Sequence, residues 1–181
     1  YFMTINVSSV QIQHLAHKQQ LTRAIEAAGV RAGDIKLEFT ESALIESPEQ
    51  AAQALDDLKQ AGVNFAIDDF GTGYSSLSYL QRFPLDVLKI DRSFITDLAT
   101  NAESRQIVKA IMGLTKGLSM EVVAEGIESA DTLGLLVDLG CDFVQGFMLS
   151  RPVQLDDALV LVKTDRDYQD RVQAASAVGA G

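Results

Sequence analysis

Six short runs rich in β-branched and aromatic residues alternate with longer amphipathic stretches along this chain, and few architectures accommodate that order. The runs at 3–7, 35–40, 64–68, 87–90, 121–124 and 143–144 read as strands; the stretches at about 10–28, 48–61, 75–82, 102–117, 130–139 and 155–162 read as helices. Repeated βα units build a parallel sheet covered by helices. Turn chemistry supports the cuts: Gly29, Gly62, Gly117 and Gly140 each stand where a helix should stop before the next strand. Ser47-Pro48-Glu49-Gln50 supplies an N-cap, a proline at the first helical position and a glutamine three residues after the cap. A closed (β/α)8 barrel needs eight strands and at least about 200 residues. The expected fold is therefore α/β, an incomplete TIM-like barrel of about six βα units whose open arc would leave two sheet edges exposed.

Charge and cysteine content narrow the function classes. The 181 residues carry a formal net charge of −10, which argues against a surface that tracks duplex nucleic acid, because such binding draws on clustered Lys and Arg. A phosphorylated ligand would need metal ions to offset this acidity. Cys141 is the single cysteine and lies in an apolar stretch, so no intrachain disulfide forms and a reducing cytoplasm fits. No run approaches the roughly 18 apolar residues that cross a bilayer. The chain opens at Tyr1 directly before a strand, which reads as a cut in a longer protein whose upstream part has room for a membrane anchor. The domain is expected at 1–162, followed by a helical extension or flexible tail at 163–181.

The polar residues that stand out share one structural address, the C-terminal end of a strand. They are Asn6, Glu38, Asp68 with Asp69, Lys89 with Asp91, Glu125 and Gln145. In a parallel barrel those ends converge on one rim, where the active site is built. Alternation within a strand places Val87, Lys89 and Asp91 on one face and Leu88 and Ile90 on the other, so Lys89 should point inward and stay charged by ion pairing. The same alternation separates Glu38 from Glu41. Adjacent carboxylates at Asp68 and Asp69 repel each other, and two divalent cations would relieve that repulsion. Oxygen donors without His or Cys suit Mg2+ or Mn2+; His14 and His17, on the first helix, read as surface groups. Glycines in Phe70-Gly71-Thr72-Gly73 give the loop after the acids its backbone freedom. Plainer readings stand beside these: a Lys89–Asp91 salt bridge, Glu38 and Glu125 as helix N-terminal partners, Asn6 as a turn former, Gln145 as a core amide, and Arg151 paired with Asp156 or Asp157.

The strings Asp68 to Leu77, Leu88-Lys89-Ile90-Asp91, Val123-Ala124-Glu125-Gly126-Ile127-Glu128 and Gln145-Gly146-Phe147 resemble, in order and spacing, the EAL family of cyclic di-GMP phosphodiesterases. Asn6-Val7-Ser8, Leu37 to Ser42 and Ser150-Arg151-Pro152 match further motifs, so the resemblance covers about residues 3–162. It implies hydrolysis of cyclic di-GMP to linear pGpG by two Mg2+ or Mn2+ ions on a modified TIM barrel. It further implies that Asn6, Glu38 and Asp68 bind one ion, and that Asp68 bridges to a second held also by Asp69. Lys89 and Glu125 would act on the second ion and the attacking water, Glu41 would hold the loop from Asp69 to Tyr74, and Asp91, Glu128, Gln145 and Arg151 would support site and substrate. Relatives commonly dimerise after the Asp-Asp-Phe-Gly loop, which implicates residues 74–82, and an upstream sensory or GGDEF-type domain is expected. The family's opening Glu-Ala-Leu, with its metal-binding glutamate and a nearby arginine, is absent from these residues, so the fragment alone is expected to be inactive. Two alternatives remain: a non-catalytic cyclic di-GMP-binding or regulatory module, and an unrelated metal-dependent lyase or aldolase on the same fold.

Overall fold

The computed structural model describes residues 2–9, 11, 18–46, 48–71 and 77–163. The expectations for Tyr1, His14, His17, Ser47, Thr72, Gly73, Tyr74, Ser75, Ser76, most of the first helix's N-terminal half and the tail at 164–181 lie outside the described residues.

The elements follow one another as β1 (Met3–Asn6), α1 (Lys18–Ala27), β2 (Ile35–Thr40), α2 (Glu41–Ile45), α3 (Pro48–Gln60), β3 (Asn64–Phe70), α4 (Leu77–Arg82), β4 (Val87–Ile90), α5 (Arg92–Thr96), α6 (Ala102–Gly117), β5 (Glu121–Glu125), α7 (Ala130–Asp138), β6 (Phe143–Gln145) and α8 (Leu155–Lys163). Strand order is chain order. The pairings of β1 with β2, β2 with β3 and β5 with β6 are parallel, as repeated βα units require. Among the described residues the fold is α/β with six strands, the number expected from the sequence.

The chain divides into two compact units, one of residues 1–89 with 118–120 and one of 90–117 with 121–181. In the first, α3 turns Ala51, Leu55 and Leu58 inward at helical spacing. The core there is completed by Leu37, Leu44, Phe39 and Phe65, the last two with ring centroids 5.9 Å apart. β1 differs from its neighbours in having all four residues exposed. In the second unit, α6 buries Val108, Ile111 and Thr115 and packs on β5 and α5. The Thr115 hydroxyl donates back to the Ile111 carbonyl at 3.1 Å, so its burial leaves no polar group unsatisfied. From α7, Thr132, Leu133 and Leu136 are buried.

Two short helices were not expected, and each corrects a strand argument. β2 ends at Thr40, whose hydroxyl accepts from the Ala43 N–H at 3.4 Å, so Glu41 opens α2 rather than continuing the strand alternation from Glu38. β4 ends at Ile90 with all four residues buried, and Asp91 caps α5 instead of sharing a strand face with Lys89. In both places a capping side chain switches the backbone from extended to helical within one residue, which hydrophobic periodicity does not register.

Candidate active site

In the first unit, strand register sets the site. Asn6 lies opposite Glu38, and Thr40 lies opposite Asp68. Side chains two apart on a strand share a face, so Asn6, Glu38 and Asp68 project to one side near the strand C-termini. Lys89 reaches the same place from β4. Its Nζ donates to Glu38 Oε2 at 3.1 Å and lies 3.0 Å from Asp68 Oδ1. The Lys89 and Glu38 side chains are only 7% and 5% exposed, so each charge depends on its partner. One ammonium against two carboxylates leaves this trio one unit negative. Glu41 is buried in the first turn of α2.

Next along β3, the backbone turns. Asp69 takes φ 55° and Gly71 φ 95°, while Phe70 between them is buried and anchors the segment. A left-handed conformation is accessible to aspartate and natural for glycine. It leaves Asp69 exposed, with its N–H donating to Asp68 Oδ1 at 3.0 Å. A cleft of about 580 Å3 opens in this unit, lined by Asn6, Ser8, Glu38, Thr40, Ser42 and Glu46 among others.

In the second unit, Glu125 ends β5 directly opposite Gln145 at the end of β6. The chain leaves Glu125 through Gly126 at φ 73°. Ile127 follows, fully buried, its N–H donating to the Gln145 carbonyl at 3.2 Å and its own carbonyl accepting from Met148 at 3.0 Å. Gly146 passes so close that a Cβ there would stand 2.7 Å from the Ile127 carbonyl carbon. Glu128 is exposed and accepts from Arg92 Nη2 at 2.9 Å. Asp91 accepts the Ser93 N–H at 2.9 Å, and hydrogen bonding to Ser93, from its side chain first and its backbone second, holds the Asp91 carboxyl below the usual aspartate range. Gln145 is exposed, which sets aside the core-amide reading. Arg151 sits with its guanidinium 4.7 Å from the Phe147 ring centroid rather than on Asp156 or Asp157.

The structure thus gathers Asn6, Glu38, Asp68 and Lys89 in one unit and aligns Glu125 with Gln145 in the other. Sequence reasoning missed Arg92, whose partner Glu128 lies 36 residues away. It also missed Ser42, in a helix too short to leave a periodic signal, and Glu46 just after that helix, both of which line the cleft. The Asp91-x-Ser93 spacing, a helix-cap pattern, was the one available hint for the Arg92 helix.

The sequence profile of the EAL domain matches residues 2–152. The chain belongs to the EAL domain family. Relatives of this EAL chain include the cyclic di-GMP phosphodiesterase NbdA of Pseudomonas aeruginosa, 40% identical over 153 residues, a match covering 84% of this chain and 20% of NbdA. The solved structure named PaMucR phosphodiesterase, a complex with cyclic di-GMP, superposes with a TM-score of 0.81 at 38% identity, covering 87% of this chain and 64% of that one. Klebsiella pneumoniae BlrP1, in a manganese and cyclic di-GMP complex, gives a TM-score of 0.77 at 34% identity over 84% of this chain and 39% of that one. The EAL chain spans about a fifth of the length of the curated relatives it matches. No helix among the described residues is long and apolar enough to cross a membrane.

Proposed function

We propose that this chain is the catalytic part of a cyclic di-GMP phosphodiesterase that opens one phosphodiester of the cyclic dinucleotide to give pGpG. The observation that carries this reading is the cluster of Glu38, Asp68 and Lys89 beside Asn6 at the strand ends. Its donors are oxygens, its net charge is negative, and the carboxylates are held in place by a buried ammonium; such a set suits Mg2+ or Mn2+. Asn6, Glu38, Asp68 and Asp69 would hold two ions, which when bound supply a more acidic water and neutralise phosphate and leaving alkoxide.

The side chains have separable tasks. Lys89 fixes the two carboxylates at 3.0–3.1 Å and places a positive charge beside the position of the attacking water. Glu125 takes up the proton that this water gives up as its oxygen bonds to phosphorus. The P–O3′ bond then breaks, the departing 3′ oxygen takes a proton from solvent water, and the phosphate stays on the 5′ side, as the product pGpG requires. Glu41 steadies the loop from Asp69 to Tyr74, while Asp91, Glu128, Gln145 and Arg151 support the site and the substrate.

The parent protein is proposed to be cytoplasmic in its catalytic part and to act as a homodimer through residues 74–82. It is proposed to carry an upstream sensory or GGDEF-type domain, a reading supported by the similarity to the bifunctional diguanylate cyclase/cyclic di-GMP phosphodiesterase MucR. The division into a domain at 1–162 and a tail at 163–181 is part of the same proposal. Because the 181 residues contain no Glu-Ala-Leu, a non-catalytic dinucleotide-binding module is the second reading. The test is to incubate cyclic di-GMP and Mn2+ with this chain and with a version extended upstream through a Glu-Ala-Leu strand, and to assay pGpG. Product from the extended chain supports the phosphodiesterase; binding without product from either replaces it with the sensor.

A further inference from the structure

We infer that Arg92 is a positioning residue that clamps the segment leaving Glu125 and so sets where that carboxylate points. The inference rests on the functional reading above for the role of Glu125, and on the geometry of the second unit for the clamp itself.

Arg92 is the first residue of α5, and its place is fixed before its side chain makes any contact. Asp91 accepts the Ser93 N–H at 2.9 Å, which pins the start of the helix. From there the side chain works at two points. Its stem lies across Gly126: a Cβ added to that glycine would stand 2.9 Å from both Arg92 Cβ and Cδ, and closer still to Cγ. Its guanidinium then donates to Glu128 Oε1 at 2.9 Å. One side chain therefore bears on the residue immediately after Glu125 and holds the residue three after it.

Two further facts make the contact directional. Gly126 has φ 73°, a conformation that turns the chain sharply away from Glu125 and that other residues rarely adopt. The next residue, Ile127, is fully buried and bonded through its backbone to Gln145 and Met148. The segment that follows Glu125 is thus held at Gly126 and Glu128 by Arg92 and at Ile127 by its own burial and backbone bonds. The Arg92 and Glu128 side chains are 58% and 53% exposed, and ion pairs so exposed contribute little to global stability. A loss of function on breaking this pair would report geometry, not unfolding.

The test combines a structural and a kinetic measurement. Amide hydrogen exchange on this 181-residue chain should show the Gly126 to Glu128 amides exchanging about tenfold faster in Arg92→Ala, with Val122 to Ala124 unchanged. In the chain extended upstream, Arg92→Ala should lower kcat about tenfold with KM within about twofold, and Arg92→Lys should recover most of the loss. Glu128→Ala should behave like Arg92→Ala, and the double variant should be no worse than either single one. Unchanged exchange in Arg92→Ala overturns the clamp, as does a raised KM at unchanged kcat, which would make Arg92 a substrate contact. Absence of pGpG formation by the extended parent chain overturns the phosphodiesterase reading instead, while faster exchange at Gly126 to Glu128 would still support the clamp.

Discussion

In the first unit a lysine–carboxylate cluster at the start of the strands and another at their far end are built on different principles. At the start of β3 and β4, Lys59 pairs with Asp86 and donates to Asn64 Oδ1 at 3.2 Å, while the other Asp86 oxygen accepts the Phe65 N–H at 2.8 Å. One positive charge meets one negative charge, and both side chains remain about a third exposed. At the far end, Lys89 faces both Glu38 and Asp68 and is almost wholly buried with Glu38. The first cluster is closed in charge and hydrogen bonding, so it fastens a helix end to a strand end. The second carries surplus negative charge in a protected place, which favours a cation. Burial and charge imbalance separate a site from a fastening, whereas the mere presence of a salt bridge does not.

The largest expected effect that would break this contrast is at Lys89. Lys89→Met leaves two carboxylates without their counter-charge, so in chelator the fold should lose about 3 kcal/mol, with Mn2+ restoring part of it. Urea unfolding with and without Mn2+ reads this directly, and pGpG formation by the extended chain should fall about 100-fold or more. A Lys89→Met chain as stable and active as the parent would erase the distinction. At the other cluster, Asp86→Ala should cost about 1–3 kcal/mol in urea unfolding because it strands the Phe65 N–H as well as Lys59, with dinucleotide hydrolysis unchanged. Lys59→Met should cost less than about 1 kcal/mol by the same measurement. Were Lys59→Met the costlier change, burial would not be what separates the two clusters.

Smaller effects sharpen the picture in the second unit. Asp91→Ala should cost about 1 kcal/mol near neutral pH through loss of the α5 cap. The folded-state pKa of Asp91 is lowered by hydrogen bonds from the Ser93 side chain and backbone, so the contribution is fully present above the unfolded value of 3.8 and fades as pH falls through the folded one. Stability curves of parent and variant should therefore converge in acid and separate toward neutrality. Smallest of all, burial pushes the Cys141 thiol up to about 11, and its Sγ donates to the Phe143 carbonyl at 3.1 Å. Alkylation in the folded protein at pH 8 should be slow, and mass spectrometry should show it accelerating when urea unfolds the chain.

Much of this was legible in the amino acids. The limits of β2 and β4 coincide with the runs at 35–40 and 87–90, because short β-branched strands bounded by turn residues signal their own ends. The pairing of Lys89 with carboxylates followed from the cost of an unpaired buried charge. α2 and α5 were not legible: five residues make too little more than one turn to show a period, and each depends on a single capping side chain. Nor was the choice of partners. Lys89 meets Glu38 across 51 residues and Arg92 meets Glu128 across 36, distances at which sequence offers many acids and no means of choosing among them.

By itself the sequence determined the repeating βα order, the placement of polar residues at strand ends, and membership of the EAL family through motifs distributed along most of the chain. Only the tertiary structure decided that Glu38 and Asp68 share one buried ammonium, that Asp69 turns outward, and that Arg92 lies over Gly126. The physical reason is range. Propensity, alternation and capping act over a few neighbouring residues and are written locally, whereas charge pairing and close backbone approach depend on which distant segments the packed core brings within about 3 Å of one another.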